Sequence, residues 1–187
     1  MLQRPAGVAE AERRAAAAGF GYSCEPDAGR LLAALSAAVP PGGRILELGT
    51  GAGVGAAWIV HGVGERGDVT AVSVELDPAT AAVAAAGAWP GWLRFEVGDA
   101  EALLPGLGAF DLIFADAPGG KWSGLERTIA ALAAGGVLLL DDMDPGRYPQ
   151  AEHREIVSGI TRTVLTHPGL VATAINTGSG FLLATRR

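Results

Sequence analysis

Residues 44–55 read RILELGTGAGVG and place four glycines, Gly49, Gly51, Gly53 and Gly55, on alternate positions directly after an apolar run. Glycine weakens a strand or helix interior by about 0.5–1 kcal/mol relative to alanine, so the spacing implies a need for bare backbone. A tight structural turn is one reading. A surface on which a ligand lies against the main chain is the other. RILEL predicts a strand, and VGAAWIVHGV (54–63) predicts a helix. A glycine turn entering a helix also presents free N–H groups to an anion.

Working outward, strand and helix signals alternate. DVTAVSVE (68–75), WLRFEVG (92–98), FDLIFAD (110–116) and GVLLLDD (136–142) read as strands. Helices are expected over PATAAVAAAGA (78–88), AEALLPGL (100–107), WSGLERTIAALAA (122–134) and residues 150–165. LVATAI (170–175) and GFLLATR (180–186) read as two strands joined by NTGS, a hairpin signal. Two helices precede the glycine turn: an alanine-rich one over 8–18, and one over 28–39 that Asp27 is placed to cap. Strands such as VLLL and LIF are apolar on both faces, which argues a doubly wound α/β fold with a parallel sheet between helices. The terminal hairpin adds one antiparallel strand.

The totals narrow the class. A chain of 187 residues with 49% apolar residues fits one domain with a real core. Net charge is −6 without a basic block, which disfavours nucleic acid as a partner. The single cysteine, Cys24, allows no intrachain disulfide and suits a reducing cytoplasm. No signal pattern and no stretch of membrane-spanning length is present, so a cytoplasmic protein away from membranes is expected.

In such a sheet ligands bind beyond the carboxyl ends of the strands. Glu75 ends the strand after the glycine turn, where a carboxylate accepts both hydroxyls of a ribose, and its distance from Gly51 is near the ~20 residues of a nucleotide fingerprint. Pyridine nucleotides and other adenosine ligands share that arrangement. Glu47, inside the strand before the glycines, would repel a pyrophosphate but could orient a cationic amino-acid group. Asp99 in VGDAE could accept from an adenine amino group.

ILELGTGAGVG, VSVELDP, VGDAE and FDLIFADAPGGKWSGLE…GGVLLLDDM together resemble the motifs of class I S-adenosylmethionine-dependent methyltransferases. Their order and spacing look most like the small O-methyltransferases related to catechol O-methyltransferase, over about residues 20–187. The resemblance implies a Rossmann-like sheet of seven strands, mostly parallel with an antiparallel last strand, in a single domain 1–187 whose residues 1–40 supply helices and a cofactor-covering loop. It implies S-adenosylmethionine as cofactor. Gly49, Thr50, Gly51 and Gly53 would face its methionine moiety, with Glu47 nearby. Glu75 and Leu76 would lie at the ribose, Asp99 and Ala100 at the adenine, and Asp116 by the methionine amino group.

In the metal-dependent relatives an aspartate after the fourth strand and an Asp–Asn pair after the fifth hold a divalent cation. Asp116 and Asp141 match the aspartates, and Asp142 stands where the pair has asparagine. Three carboxylates suit Mg²⁺ or another hard cation; the alternative is that Asp141 and Asp142 only finish a strand. The relatives' catalytic lysine falls at Gly119, whereas this chain has Lys121 two residues on, a candidate base if desolvated. Lys121 and Asp141 are therefore the candidate catalytic residues. Trp122 and His153 are candidates for the acceptor pocket, and His61 and His167 read as structural. Expected partners are a small-molecule acceptor and, as an open alternative, a second copy of the chain in a homodimer. Two rival readings stay open: an NAD-type oxidoreductase, and a non-catalytic protein that keeps the cofactor fold.

Overall fold

Strand β1 (Arg44–Leu48) sends successive side chains to opposite faces, and both faces are covered: Ile45 packs into one apolar core and Leu46 into a second. The computed structural model describes residues 4–187. Residues 1–3, the start of the expected N-terminal segment, lie outside the described residues. β1 is an interior strand of a seven-stranded sheet with β2 (Thr70–Glu75), β3 (Leu93–Val97), β4 (Phe110–Ala115), β5 (Leu132–Leu140), β6 (Leu170–Ile175) and β7 (Phe181–Arg186). Their order is β3-β2-β1-β4-β5-β7-β6. The first five strands pair in parallel, and β7 runs antiparallel between β5 and β6. The chain winds outward from β1 to β3, then returns to β4. The carboxyl ends of β1 and β4 are therefore the switch point of the sheet.

Helices α1 (Ala6–Ala17), α2 (Pro26–Ala37) and α3 (Val54–Val63) cover the face that carries Ile45, Leu112 and Phe114. Helices α5 (Ala100–Leu107), α6 (Leu125–Ala130) and α7 (Ala151–Thr166) cover the face that carries Leu46, Ile113 and Leu138. α4 (Pro78–Ala85) follows β2 and is capped by Asp77, whose carboxylate accepts from Thr80 N–H. Trp58 is buried, and Trp89 and Trp92 pack against the same core.

Three expectations on local structure change. Asp27 does not cap α2: the helix starts at Pro26 after Glu25, and Asp27 instead pairs with Arg30 one turn on. The helix expected over 122–134 is only six residues long. Gly124 holds a left-handed conformation just before it, and β5 begins at Leu132. β5 thus takes up LAAG as well as GVLLL, at the expense of a register shift against β4 beside Phe110. Alanine-rich sequence carries a helical preference that pairing with β4 overrides here.

α2 and α3 pack closely because Gly62 leaves room: a Cβ there would lie 2.1 Å from the Ala33 carbonyl oxygen. Gly62→Ala is expected to lower stability by about 1–3 kcal/mol through overpacking. Gly159→Ala, on an open helix face with nothing within 4 Å, should instead stabilise by about 0.4–1 kcal/mol. Denaturant unfolding of the two variants checks the pair; equal effects would contradict this packing.

Candidate active site

The glycine turn folds back over the ends of β1 and β2. Gly49, Gly51 and Gly53 have φ of +100°, +53° and +89°, the left-handed region that favours glycine. The structure also shows what each bare position faces. A Cβ on Gly51 would lie 2.8 Å from the Phe20 ring, and one on Gly55 would lie 2.0 Å from Glu47 Oε1. Gly49 abuts the Asp116 backbone and Gly53 abuts Trp89. The two readings of this turn are therefore not exclusive: the glycines admit protein neighbours, and those neighbours build a ligand cavity.

That cavity, of about 170 Å³, is walled by Phe20, Glu47, Gly49, Gly51, Glu75 and Asp116, among others. Glu75 is held in place by its own neighbours: Gly51 N–H donates to Oε2 at 2.8 Å and Asp77 N–H to Oε1 at 3.0 Å. Thr50 is buried and hydrogen-bonded to Ser73, whose hydroxyl donates to Glu47 Oε2. Glu47 Oε1 has no partner. Burial pushes the Glu47 carboxyl up to about 8, against the Ser73 hydrogen bond, and the nearby Glu75 charge adds to the rise. The cavity wall does not include Leu76, Asp99 or Ala100. Leu76 is exposed beyond its rim, and Asp99 caps α5 by accepting from Glu101 N–H.

A second cavity of about 510 Å³ adjoins the first. Tyr22, Ser23, Cys24, Asp116 and Pro118 line both, and Lys121, Trp122, Asp141, Asp142, Arg147 and Tyr148 line only the second. Trp122 is thus a cavity wall, as the sequence suggests. His153 packs against the Trp122 and Tyr148 rings, with centroids 5.0 and 5.8 Å away, and lies outside the lining. His61 packs on Trp58, the His167 Nδ1 accepts from Gly169 N–H, and neither lines the two cavities.

The charged groups crowd together where the cavities meet. Lys121 is buried; its ammonium donates to the Asp141 carbonyl oxygen at 3.0 Å and lies 4.0 Å from Asp116 Oδ1 and 3.9 Å from Asp142 Oδ2. A compact turn, with Lys121 and Trp122 N–H both donating to the Pro118 carbonyl, fixes this lysine. Asp141 Oδ1 accepts from the Ser179 hydroxyl and from Asp142 N–H. Burial raises the Asp141 carboxyl, partly offset by those hydrogen bonds. Burial raises Asp116 strongly, with the Lys121 charge pulling it back. Asp142 has φ +59°, the one non-glycine residue in the left-handed region among the described residues, and its side chain is 46% exposed. Aspartate and asparagine tolerate that conformation best, so its backbone role explains why either residue serves there.

The sequence reading missed Ser73 and Ser179, which position Glu47 and Asp141. A serine in the middle of the otherwise apolar strand TAVSVE was a usable signal for the first. Ser179 shows in the sequence only as part of the NTGS hairpin signal. Phe20 and the Glu25–Arg147 pair, 2.6 Å apart across the mouth of the second cavity, carried no signal.

Residues 46–143 match the family described as "Methyltransferase domain". A Mycobacteroides abscessus protein named as an O-methyltransferase is 32% identical over 190 residues, covering 96% of this chain and 87% of its own length. The chain belongs to the class I S-adenosylmethionine-dependent methyltransferases. Among solved structures, cofactor-bound Rv0187 from MTB is 28% identical, with a TM-score of 0.85 over 100% of this chain and 92% of that one. The O-methyltransferase TomG from Streptomyces achromogenes, solved with SAM, shares the fold at 22% identity and a TM-score of 0.83, over 100% of this chain and 92% of its own. The oxidoreductase and non-catalytic alternatives give way to this methyltransferase. No helix among the described residues is long and apolar enough to cross a membrane.

The Glu47 carboxyl makes a pH prediction. Its ordinary ionisation near 4.5 rises to about 8 in the fold. Between those values the folded protein holds a proton that the unfolded chain has lost. Stability contributed by neutral Glu47 is therefore complete below pH 4.5 and is lost as pH rises through 8, at up to ~1.4 kcal/mol per pH unit. Glu47→Gln should make the cofactor-free protein's stability fall less steeply from pH 5 to 8. Denaturant midpoints across that range test it, and parallel slopes for the two proteins would contradict the buried, unpartnered carboxyl.

Proposed function

We propose that the enzyme transfers the methyl group of S-adenosylmethionine to a hydroxyl oxygen of a small aromatic acceptor. The carrying observation is the pair of adjoining cavities that share Cys24, Asp116 and Pro118. The O-methyltransferase names of the relatives support oxygen as the acceptor atom.

When bound, S-adenosylmethionine supplies an electrophilic methyl carbon. In this reading Glu75 accepts from the ribose hydroxyls; its two backbone hydrogen bonds already fix the carboxylate. Gly49 to Gly53 and Thr50 line the methionine part, and the unpartnered Glu47 Oε1 together with Asp116 takes its cationic amino group. The adenine lies beyond the smaller cavity, toward Leu76, Asp99 and Ala100. In the larger cavity Trp122 and Tyr148 wall the acceptor ring. Lys121 holds the reacting oxygen, and Asp141, whose burial raises its affinity for a proton above that of an ordinary carboxylate, takes the hydroxyl proton. Most of the catalysis is then positioning of the two reactants. The single free thiol, Cys24, supports a reducing cytoplasm as the place of action.

Glu75→Ala should weaken S-adenosylhomocysteine binding by about 1.5–3 kcal/mol, the range for hydrogen bonds to a charged group, in a protein that still folds. Calorimetry showing unchanged affinity would remove Glu75 from the site. With radiolabelled cofactor and a panel of phenols and catechols, Asp141→Ala should lose most turnover while Asp142→Asn keeps most of it. Near-wild-type rates for both would mean that the aspartate pair only ends β5.

A further inference from the structure

We infer that the Lys121 ammonium occupies the role of the divalent cation implied by the resemblance, so that the enzyme works without metal and takes an acceptor through a single hydroxyl. This rests on the reading that the second cavity holds the acceptor.

The donor set argues against a resident metal. Among the described residues the nearest approach to a ligand set is Cys24 Sγ with one oxygen each of Asp116 and Asp141, all within 4.8 Å. Asp142, the expected third carboxylate, is not part of it. The set mixes a thiol with two carboxylates: hard cations such as Mg²⁺ and Ca²⁺ select oxygen, and softer metals select thiolate. More decisively, a cation is already present. Lys121 is buried, tied to the Asp141 carbonyl at 3.0 Å, and 3.9–4.0 Å from Asp142 and Asp116. A metal bridging Asp116 and Asp141 would sit beside that ammonium, and the Pro118 turn holds the lysine in place. The Ser179 hydroxyl and Asp142 N–H already occupy Asp141 Oδ1.

The consequence reaches substrate class. A metal clamps two neighbouring oxygens, as a catechol offers. The ammonium has one hydrogen-bond partner among the described residues, the Asp141 carbonyl, and its ion-pair neighbours at 3.9 and 4.0 Å lie beyond hydrogen-bond length. With one of its three N–H groups used, it keeps two, so it can hold a single acceptor oxygen without requiring a second. The acceptor O–H bond breaks with its proton passing to Asp141. The oxygen–methyl bond forms as the sulfonium–methyl bond breaks, and the cofactor leaves as a neutral thioether. No second oxygen, oxidant or reductant enters the balance.

The test titrates Mn²⁺ and Mg²⁺, alone as probes, into chelator-treated full-length enzyme bound to S-adenosylhomocysteine, and follows heat and melting temperature. The wild type should show no saturable binding, and Lys121→Met, which keeps the length and removes the charge, should bind Mn²⁺ about tenfold or more tightly than wild type. Retained S-adenosylhomocysteine affinity shows that the variant is folded. Saturable wild-type binding overturns the inference. So does a folded Lys121→Met protein that binds Mn²⁺ no better than wild type. If that variant does not fold, wild-type turnover decides: rates unchanged by chelator, with monohydroxy phenols methylated as readily as catechols, support the inference, and loss of rate in chelator overturns it. Failure of S-adenosylhomocysteine to bind at all would instead strike the cofactor reading.

Discussion

The site is organised around one buried carboxyl. Glu47 stands in the interior strand β1, 1% exposed, on the face that α3 covers. A carboxyl in that position is expensive to ionise unless it is paired. The fold meets one of its oxygens with Ser73, itself tied to Thr50, and leaves the other buried against Gly55 without a partner. The same side chain dictates its surroundings. Helix α3 can start against it only because position 55 has no Cβ. The glycine pattern is thus partly a consequence of the acid two residues before it.

The second organising feature is the balance of charge where the cavities meet. Asp116 ends β4 and Asp141 ends β5, and parallel pairing of those strands brings both to one edge, with Asp141 N–H donating to the Ala115 carbonyl. Two buried carboxyls at one edge repel each other, and proteins meet that repulsion with a proton, a metal or a basic side chain. Here the basic side chain comes from the loop between β4 and α6. Its displacement by two residues from the position in metal-dependent relatives has a structural meaning: Lys121 reaches in from the Pro118 turn and touches the backbone of the residue that the relatives use as a ligand.

Much of this was legible from sequence, for identifiable reasons. Strands buried on both faces give continuous apolar runs, so the parallel sheet could be read from VLLL and LIF. The nucleotide-binding end could be read because Gly51 and Glu75 lie at fixed places after successive strands, and their contact proves direct. What failed was whatever depended on long-range geometry. The β5 start at Leu132 was hidden by alanines that favour a helix locally. The orientation of Lys121 depends on a turn that a single sequence does not disclose. The neighbours of the glycines, Phe20 and Trp89, come from segments remote in the chain and leave no local trace.

That remoteness bears on how the cavities open. The buried parts of the site belong to the sheet edge and are fixed by backbone pairing: Met143 N–H donates to the Gly180 carbonyl, and Asp144 N–H to Ser179. The outer wall is different. Tyr22, Ser23, Cys24 and Glu25 lie between α1 and α2, and the Glu25–Arg147 pair ties them to the loop after β5. Each member of that pair is 42% exposed. An exposed ion pair contributes only about 0–1 kcal/mol, so parting it costs little beside the apolar packing that holds α2 on α3. The wall nearest solvent is therefore the one held most weakly, while Asp116 and Asp141 are held at the sheet edge and Lys121 by the Pro118 turn. Access and chemistry are assigned to different parts of the fold, and a change in the outer loop can alter which acceptor enters without moving Lys121 or Asp141.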